Sequence, residues 1–209
     1  MWDFFVKGGV VMIPLGICSV VALVIIIERI LFFCRLNRWE EKEIRLIKLY
    51  LYQGKVSEAK AVSAKWNSSL GIMVDTALKQ WEHNRDLVEQ VMESSGMAEI
   101  KKFERGLGVL DTIITASPLL GLLGTVTGII KAFTALSIVG GAQATQLSLG
   151  IAEALYTTAF GLAIAIPTLF FVNFSYSFID KQAQRLTAEG QEILKLLQTV
   201  SGEQNEAAS

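Results

Sequence analysis

The chain has 209 residues, 52% of them hydrophobic and 19% charged, with a formal net charge of −1. A soluble domain of this length would spread its apolar residues periodically between charges; here they are bunched into long uncharged runs, which excludes an ordinary soluble fold. The net charge gives no basis for nucleic acid as a partner, so the placement of charge carries the information.

The first run, Gly8 to Ile27, holds 20 uncharged residues and is followed at once by Glu28 and Arg29. About 20 apolar residues cross the hydrocarbon layer as a helix. A cleaved leader has a basic start and a shorter apolar core. This run has Asp3 and Lys7 before it and charges behind it, and reads as a retained anchor facing lipid.

From Arg35 to Asp111 the pattern is helical and heavily charged. Trp39–Gln53 puts Ile44, Ile47 and Leu51 on one stripe, and Gly54 is a stop signal. A short helix follows from Ser57 to about Trp66, and Asn67-Ser68-Ser69 supplies caps for the next one. No proline interrupts the chain from there to Gly106, and the helix is expected to run straight into the second span. The reading is an antiparallel bundle with a solvated charged face, with no phosphate loop or nucleophile elbow. His83 is the one histidine and has no second ligand nearby. Cys18 and Cys34 would lie about 24 Å apart on one helix, too far to bridge. No metal site and no cofactor are expected.

The second span reads Ala116–Leu136, and the third follows a link placed at Leu136–Leu147. Gly121, Thr125, Gly128, Ala132 and Ala135 recur at helical spacing, and Gly124 with Gly128 makes a GxxxG pair. Gly150, Ala154, Thr157, Gly161 and Ala165 form the same device on the third span. Small faces let membrane helices approach closely. With three spans per chain, part of this packing is expected between chains. Pro118 falls near one end of the second span, and Pro167 is predicted to kink the third.

Glu153 lies six residues past the link, about 9 Å deep, where an acid is rare and usually functional. Thr125 and Thr158 each lie 11 residues from the link and are expected at matched depth, as a polar belt around a narrow wet lumen. Thr157 is a weaker candidate. Lys131 is another: it could pair with Glu153, although snorkelling of its long stem to the interface is the favoured reading. The spans contain no Ser/His, paired Asp or His-Glu-x-x-His constellation, so no catalytic residue is assigned and the chain is not read as an enzyme.

Seventeen of the 19 Lys and Arg residues fall at Arg29, between Arg35 and Arg105, or after Asp180. The positive-inside rule puts those segments in the cytoplasm and the N-terminus in the periplasm. The fold class is therefore an all-α integral membrane protein of three transmembrane helices, with a cytoplasmic helical bundle formed by extensions of the spans. Residues 1–34 hold the N-terminal segment and first span, 35–111 the cytoplasmic helical domain, 112–178 the pore-lining hairpin and 179–209 a cytoplasmic tail.

SPLLGLLGTVTGIIKAF (Ser117–Phe133) followed by GIAEALYTTAFGLAIAIP (Gly150–Pro167) resembles the ExbB/TolQ/MotA proton-channel family, and the ExbB/TolQ branch in particular. IIIERILFF (Ile25–Phe33) is similar to the family's first-span ending, and the resemblance covers the whole chain. MotA-type stators usually have four spans and fit less well. The resemblance implies a homopentamer around the single spans of an ExbD/TolR-like partner dimer, in the bacterial inner membrane. The partner's intramembrane aspartate would exchange protons, and the motion would pass to a TonB/TolA-like periplasmic protein. It also implies that Thr125, Glu153 and Thr158 line the pore, and it places Lys131 at a variable position. The competing readings are a non-conducting membrane scaffold and a Na+-driven stator-like channel.

Overall fold

The computed structural model describes residues 9–36, 41–139 and 144–207. Among them are seven α-helices: α1 Met12–Leu36, α2 Glu41–Tyr52, α3 Val56–Ser63, α4 Ser69–His83, α5 Val88–Glu104, α6 Leu107–Val139 and α7 Ala144–Ala207. A single 3-10 turn, Arg85–Leu87, joins α4 to α5. Three helices, α1, α6 and α7, contain stretches long and apolar enough to cross a membrane. The chain is an all-helical, multi-pass membrane protein. By contacts it divides into two compact units: 1–30 with 106–175, and 31–105 with 176–209.

The first unit holds the apolar spans. On α1 the buried residues Met12, Leu15, Ala22 and Arg29 recur at spacings of three and seven, so they share one narrow stripe. Ile13, Ile17, Val20, Leu23, Val24 and Ile27 face away and are exposed. The helix runs nine residues past Ile27, and Glu28 and Arg29 sit inside it, joined at 2.6 Å. In α6 and α7 the pattern is inverted relative to a soluble protein. Small residues are buried, while Leu119, Leu122, Val126 and Phe133 on α6 and Leu155, Phe170 and Phe174 on α7 point outward. That is the arrangement packing demands where the solvent is hydrocarbon.

Two expectations are corrected here. The helix leading to the second span is not continuous, because Gly106 adopts φ +83° and separates α5 from α6. Its carbonyl then accepts from Val109 N and Leu110 N to start the new helix. Only glycine takes such a φ without cost, so this residue, and not the apolar residues after it, fixes the boundary. The link is also shorter than Leu136–Leu147, since α6 reaches Val139 and α7 begins at Ala144; residues 140–143 fall outside the described set. Pro118 and Pro167 both lie within helix, and α7 continues past Pro167 to Ala207.

The second unit is a helical bundle. The stripe Ile44, Ile47 and Leu51 is buried, and α2 ends in a Schellman turn. There Lys55 N donates to Tyr50 O at 2.9 Å and Gly54 N to Leu51 O at 3.0 Å, with Gly54 at φ +68°. Ser68 caps α4, its hydroxyl accepting from Gly71 N at 3.1 Å. Beyond Asp180, α7 buries Leu186, Ile193, Leu197 and Val200 along one face. Lys48 of α2 ties to Glu189 and Glu192 of α7 at 2.7 and 2.6 Å.

Candidate functional site

The site is built on the α6–α7 hairpin of the first unit. Because the buried positions of both helices are small, backbone meets backbone. A Cβ placed on Gly161 would sit 2.5 Å from Ser117 O, and one on Gly121 would sit 3.0 Å from Thr158 Cα. On Gly124 it would overlap the Thr157 side chain; on Gly128 it would lie 3.0 Å from Gly150 O, and on Gly150 2.6 Å from the Ala132 Cβ. These pairs run Ser117–Gly161, Gly121–Thr158, Gly124–Thr157, Gly128–Ala154 and Ala132–Gly150, and together they fix an antiparallel register. These small-residue faces meet, α6 against α7, within the chain itself.

That register places each candidate residue. Thr157 is fully buried in the seam; its hydroxyl donates to Ala154 O at 2.8 Å and lies 3.4 Å from Gly121 O. Thr158 is half-buried beside it and donates to Gly121 O at 3.1 Å, crossing from α7 to α6. Thr125 is half-buried and donates to Leu122 O of its own helix at 2.6 Å. Thr125 follows Gly124, which meets Thr157, whereas Thr158 meets Gly121. Thr125 and Thr158 are therefore offset by two to four residues, about 3–6 Å, rather than level.

Lys131 and Glu153 form an ion pair, Nζ to Oε1 at 2.8 Å, where snorkelling of the lysine was the favoured reading. The Gly128–Ala154 and Ala132–Gly150 contacts bracket the pair and bring the two helices close enough for it.

Two further residues carry no sequence signal that singles them out. Ser117 is fully buried, and its Oγ has no hydrogen-bond partner among the described residues. Gly9, at φ +67° in the turn before α1, lies so close to Glu153 that a Cβ there would overlap its Oε1. Among the described residues no group of three His, Cys, Asp or Glu side chains could hold a metal ion.

An all-helical, multi-pass membrane protein whose two long apolar helices are zipped by glycines and joined by one ion pair is of a class that includes ion-conducting subunits. Residues 65–188 match the MotA/TolQ/ExbB proton channel family, and the chain belongs to that family. It is 37% identical over 194 residues to the ExbB-like 1 biopolymer transport protein of Synechocystis sp., covering 91% of this chain and 76% of that protein. It is 30% identical to an ExbB homolog of Methanothermobacter thermautotrophicus, over 88% of this chain and 66% of the relative. To the biopolymer transport protein ExbB of Pseudomonas putida it is 30% identical, over 99% of this chain and 64% of the relative. The chain thus spans about two thirds of the length of the last two.

Proposed function

We propose that the chain is the pore-forming subunit of a proton-driven motor in the inner membrane, which works with an ExbD/TolR-like single-span partner on a TonB/TolA-like periplasmic protein. The hairpin carries this reading. It holds one carboxylate on an otherwise uncharged stretch of α7, with the hydroxyls of Thr125 and Thr158 half-exposed at the edges of a seam of small residues. Acids are placed in membrane helices at a cost, and they persist where an ion must pass. Hydroxyl oxygens beside them can hold water or an ion in transit.

In this reading five copies surround the partner dimer, with residues 1–34 as the anchor, 112–178 as the pore wall, and 35–111 and 179–209 in the cytoplasm. The N-terminus is periplasmic. Protons enter past Glu153, meet an acid on the partner beside Thr125 and Thr158, and leave to the cytoplasm. Neutralising that acid lowers the cost of moving it along apolar wall. Each charge crossing releases about 2.3 kcal/mol per 100 mV, which several protons sum to useful work.

The test is reconstitution of the chain with such a partner into liposomes under a pH gradient. Proton flux is expected from the complex and none from the chain alone. Glu153→Gln is expected to lower that flux about tenfold or more with assembly intact. Wild-type flux in the assembled Glu153→Gln complex would favour the scaffold reading, and a response to a sodium gradient alone would make the ion Na+.

A further inference from the structure

Lys131 is the one charged residue of α6 after Asp111, and Glu153 is the one charged residue of α7 before Asp180. These two meet at 2.8 Å. Lys131 lies eight residues from the end of α6 and Glu153 nine from the start of α7, so both are about 12–14 Å along the helices from the connection. The backbone at Gly9 forms the third side. Its carbonyl accepts from Met12 N at 3.1 Å to open α1, and a Cβ on it would come within 2.9 Å of Glu153 Cδ and 3.4 Å of Lys131 Nζ. Among the described residues, Lys131 is the charged group that meets Glu153 from a neighbouring helix. Of the described residues before α1, Gly9 meets it with backbone, and Tyr156 lies one turn further along α7.

We infer that Lys131 is a positioning residue for the ion pathway: it holds the Glu153 carboxylate in place beneath the Gly9 turn, and it competes with the incoming proton for the same carboxylate oxygen. This rests on the reading of Glu153 as a pathway residue. An isolated carboxylate in hydrocarbon is driven to its neutral form, whereas an adjacent ammonium favours the charged one. A proton arriving at Oε1 removes the negative charge that retains Lys131. The ammonium keeps all its protons, leaves the carboxyl group and swings its four-carbon stem toward the interface. The paired and snorkelled positions of Lys131 are then two states of one gate, and the proton selects between them. A glycine at position 9 leaves the room that this exchange needs.

The experiment compares the full chain, in complex with its single-span partner in liposomes, as wild type, Lys131→Met, Lys131→Arg and Glu153→Gln. Lys131→Met is expected to lose flux about as severely as Glu153→Gln, and Lys131→Arg to retain about half or more, because a guanidinium reaches the same oxygen. Infrared difference spectra of Lys131→Met are expected to gain a protonated-carboxyl stretch that disappears in Lys131→Met with Glu153→Gln. Wild-type flux in Lys131→Met, with Glu153→Gln inactive, would overturn the inference and leave the role of Glu153 standing. Wild-type flux in Glu153→Gln would overturn both. Should Lys131→Met not assemble, the infrared band in detergent-purified chain decides: its absence overturns the inference.

Discussion

Gly161→Ala tests the seam most directly, because the new methyl group has only main chain to displace. Its Cβ would stand 2.5 Å from Ser117 O, 3.2 Å from Ser117 C and 3.4 Å from Gly121 Cα. A carbon–oxygen contact relaxes at about 3.3–3.6 Å, so the helices must separate locally by roughly 1 Å. Overpacking of this kind costs about 1–3 kcal/mol, against about 1 kcal/mol returned by the better helix propensity of alanine. Gly108→Ala, on α6, is the control: nothing lies within 4 Å of its Cβ, so it keeps the whole propensity gain of about 1 kcal/mol. The two variants should differ by about 1–3 kcal/mol, with Gly161→Ala the less stable. Unfolding by SDS in mixed micelles, followed by far-UV circular dichroism, measures the difference. Equal stability of the two variants would refute the claim that α6 and α7 are held by backbone contact within one chain.

Three other variants test the second unit and the start of α6. Gly106→Ala must hold φ +83° and place a Cβ 3.1 Å from Ile25 Cγ2, so it should lose about 1–2 kcal/mol in the same titration. Gly54→Ala shares the positive φ but meets open space, and should lose less. At Lys48, burial acts to lower the pKa, but hydrogen bonds and charge from Glu189 and Glu192 outweigh it, and the net value is raised above 10.5. A raised folded-state value means that the charged lysine stabilises the fold at every pH below about 10.5, and that this stability is lost as pH climbs through the folded value. The advantage of wild type over Lys48→Met is about 1 kcal/mol at most for a partly exposed cluster, or about 2–4 °C in Tm. It should be constant from neutral pH to about 10 and shrink above that. A difference that shrinks between pH 9 and pH 7 would contradict the assignment.

The spans, the stripe Ile44–Ile47–Leu51, the glycine stop at Gly54 and the Ser68 cap were all legible in the sequence, because each is set by local chemistry. The boundary at Gly106 was not. Residues after it are mostly apolar and offer no proline or cap, so nothing marks a break, and a glycine within a helical pattern is read as tolerated unless its φ is known. That extensions of the spans build the bundle was legible as well, but how far α7 runs, to Ala207, was hidden for a different reason. Past Asp180 the sequence turns polar, and the buried series Leu186, Ile193, Leu197 and Val200 is sparse enough to pass for a tail until its partners in the bundle are placed.

At the hairpin, sequence spacing identified which residues are small but not which helix they face. A stripe of Gly, Ala and Thr looks the same whether it packs on its own neighbour or on another chain; the choice depends on the antiparallel register, a tertiary fact. That register also reorders the threonines. Depth counted from a link of assumed length made Thr125 and Thr158 level, but Gly124 packs on Thr157 and Gly121 on Thr158, so the hydroxyls form a slanted series rather than a ring. The same register accounts for Lys131. A lysine eight residues from a helix end has a stem long enough to reach the interface, which makes snorkelling the natural expectation for the helix alone. Once Gly128 and Ala132 draw α7 within backbone contact, a carboxylate stands closer than the interface does, and the pair forms. The glycines of the seam thus set more than the distance between helices, because they decide where the one cation of this stretch of the hairpin finds its counter-charge.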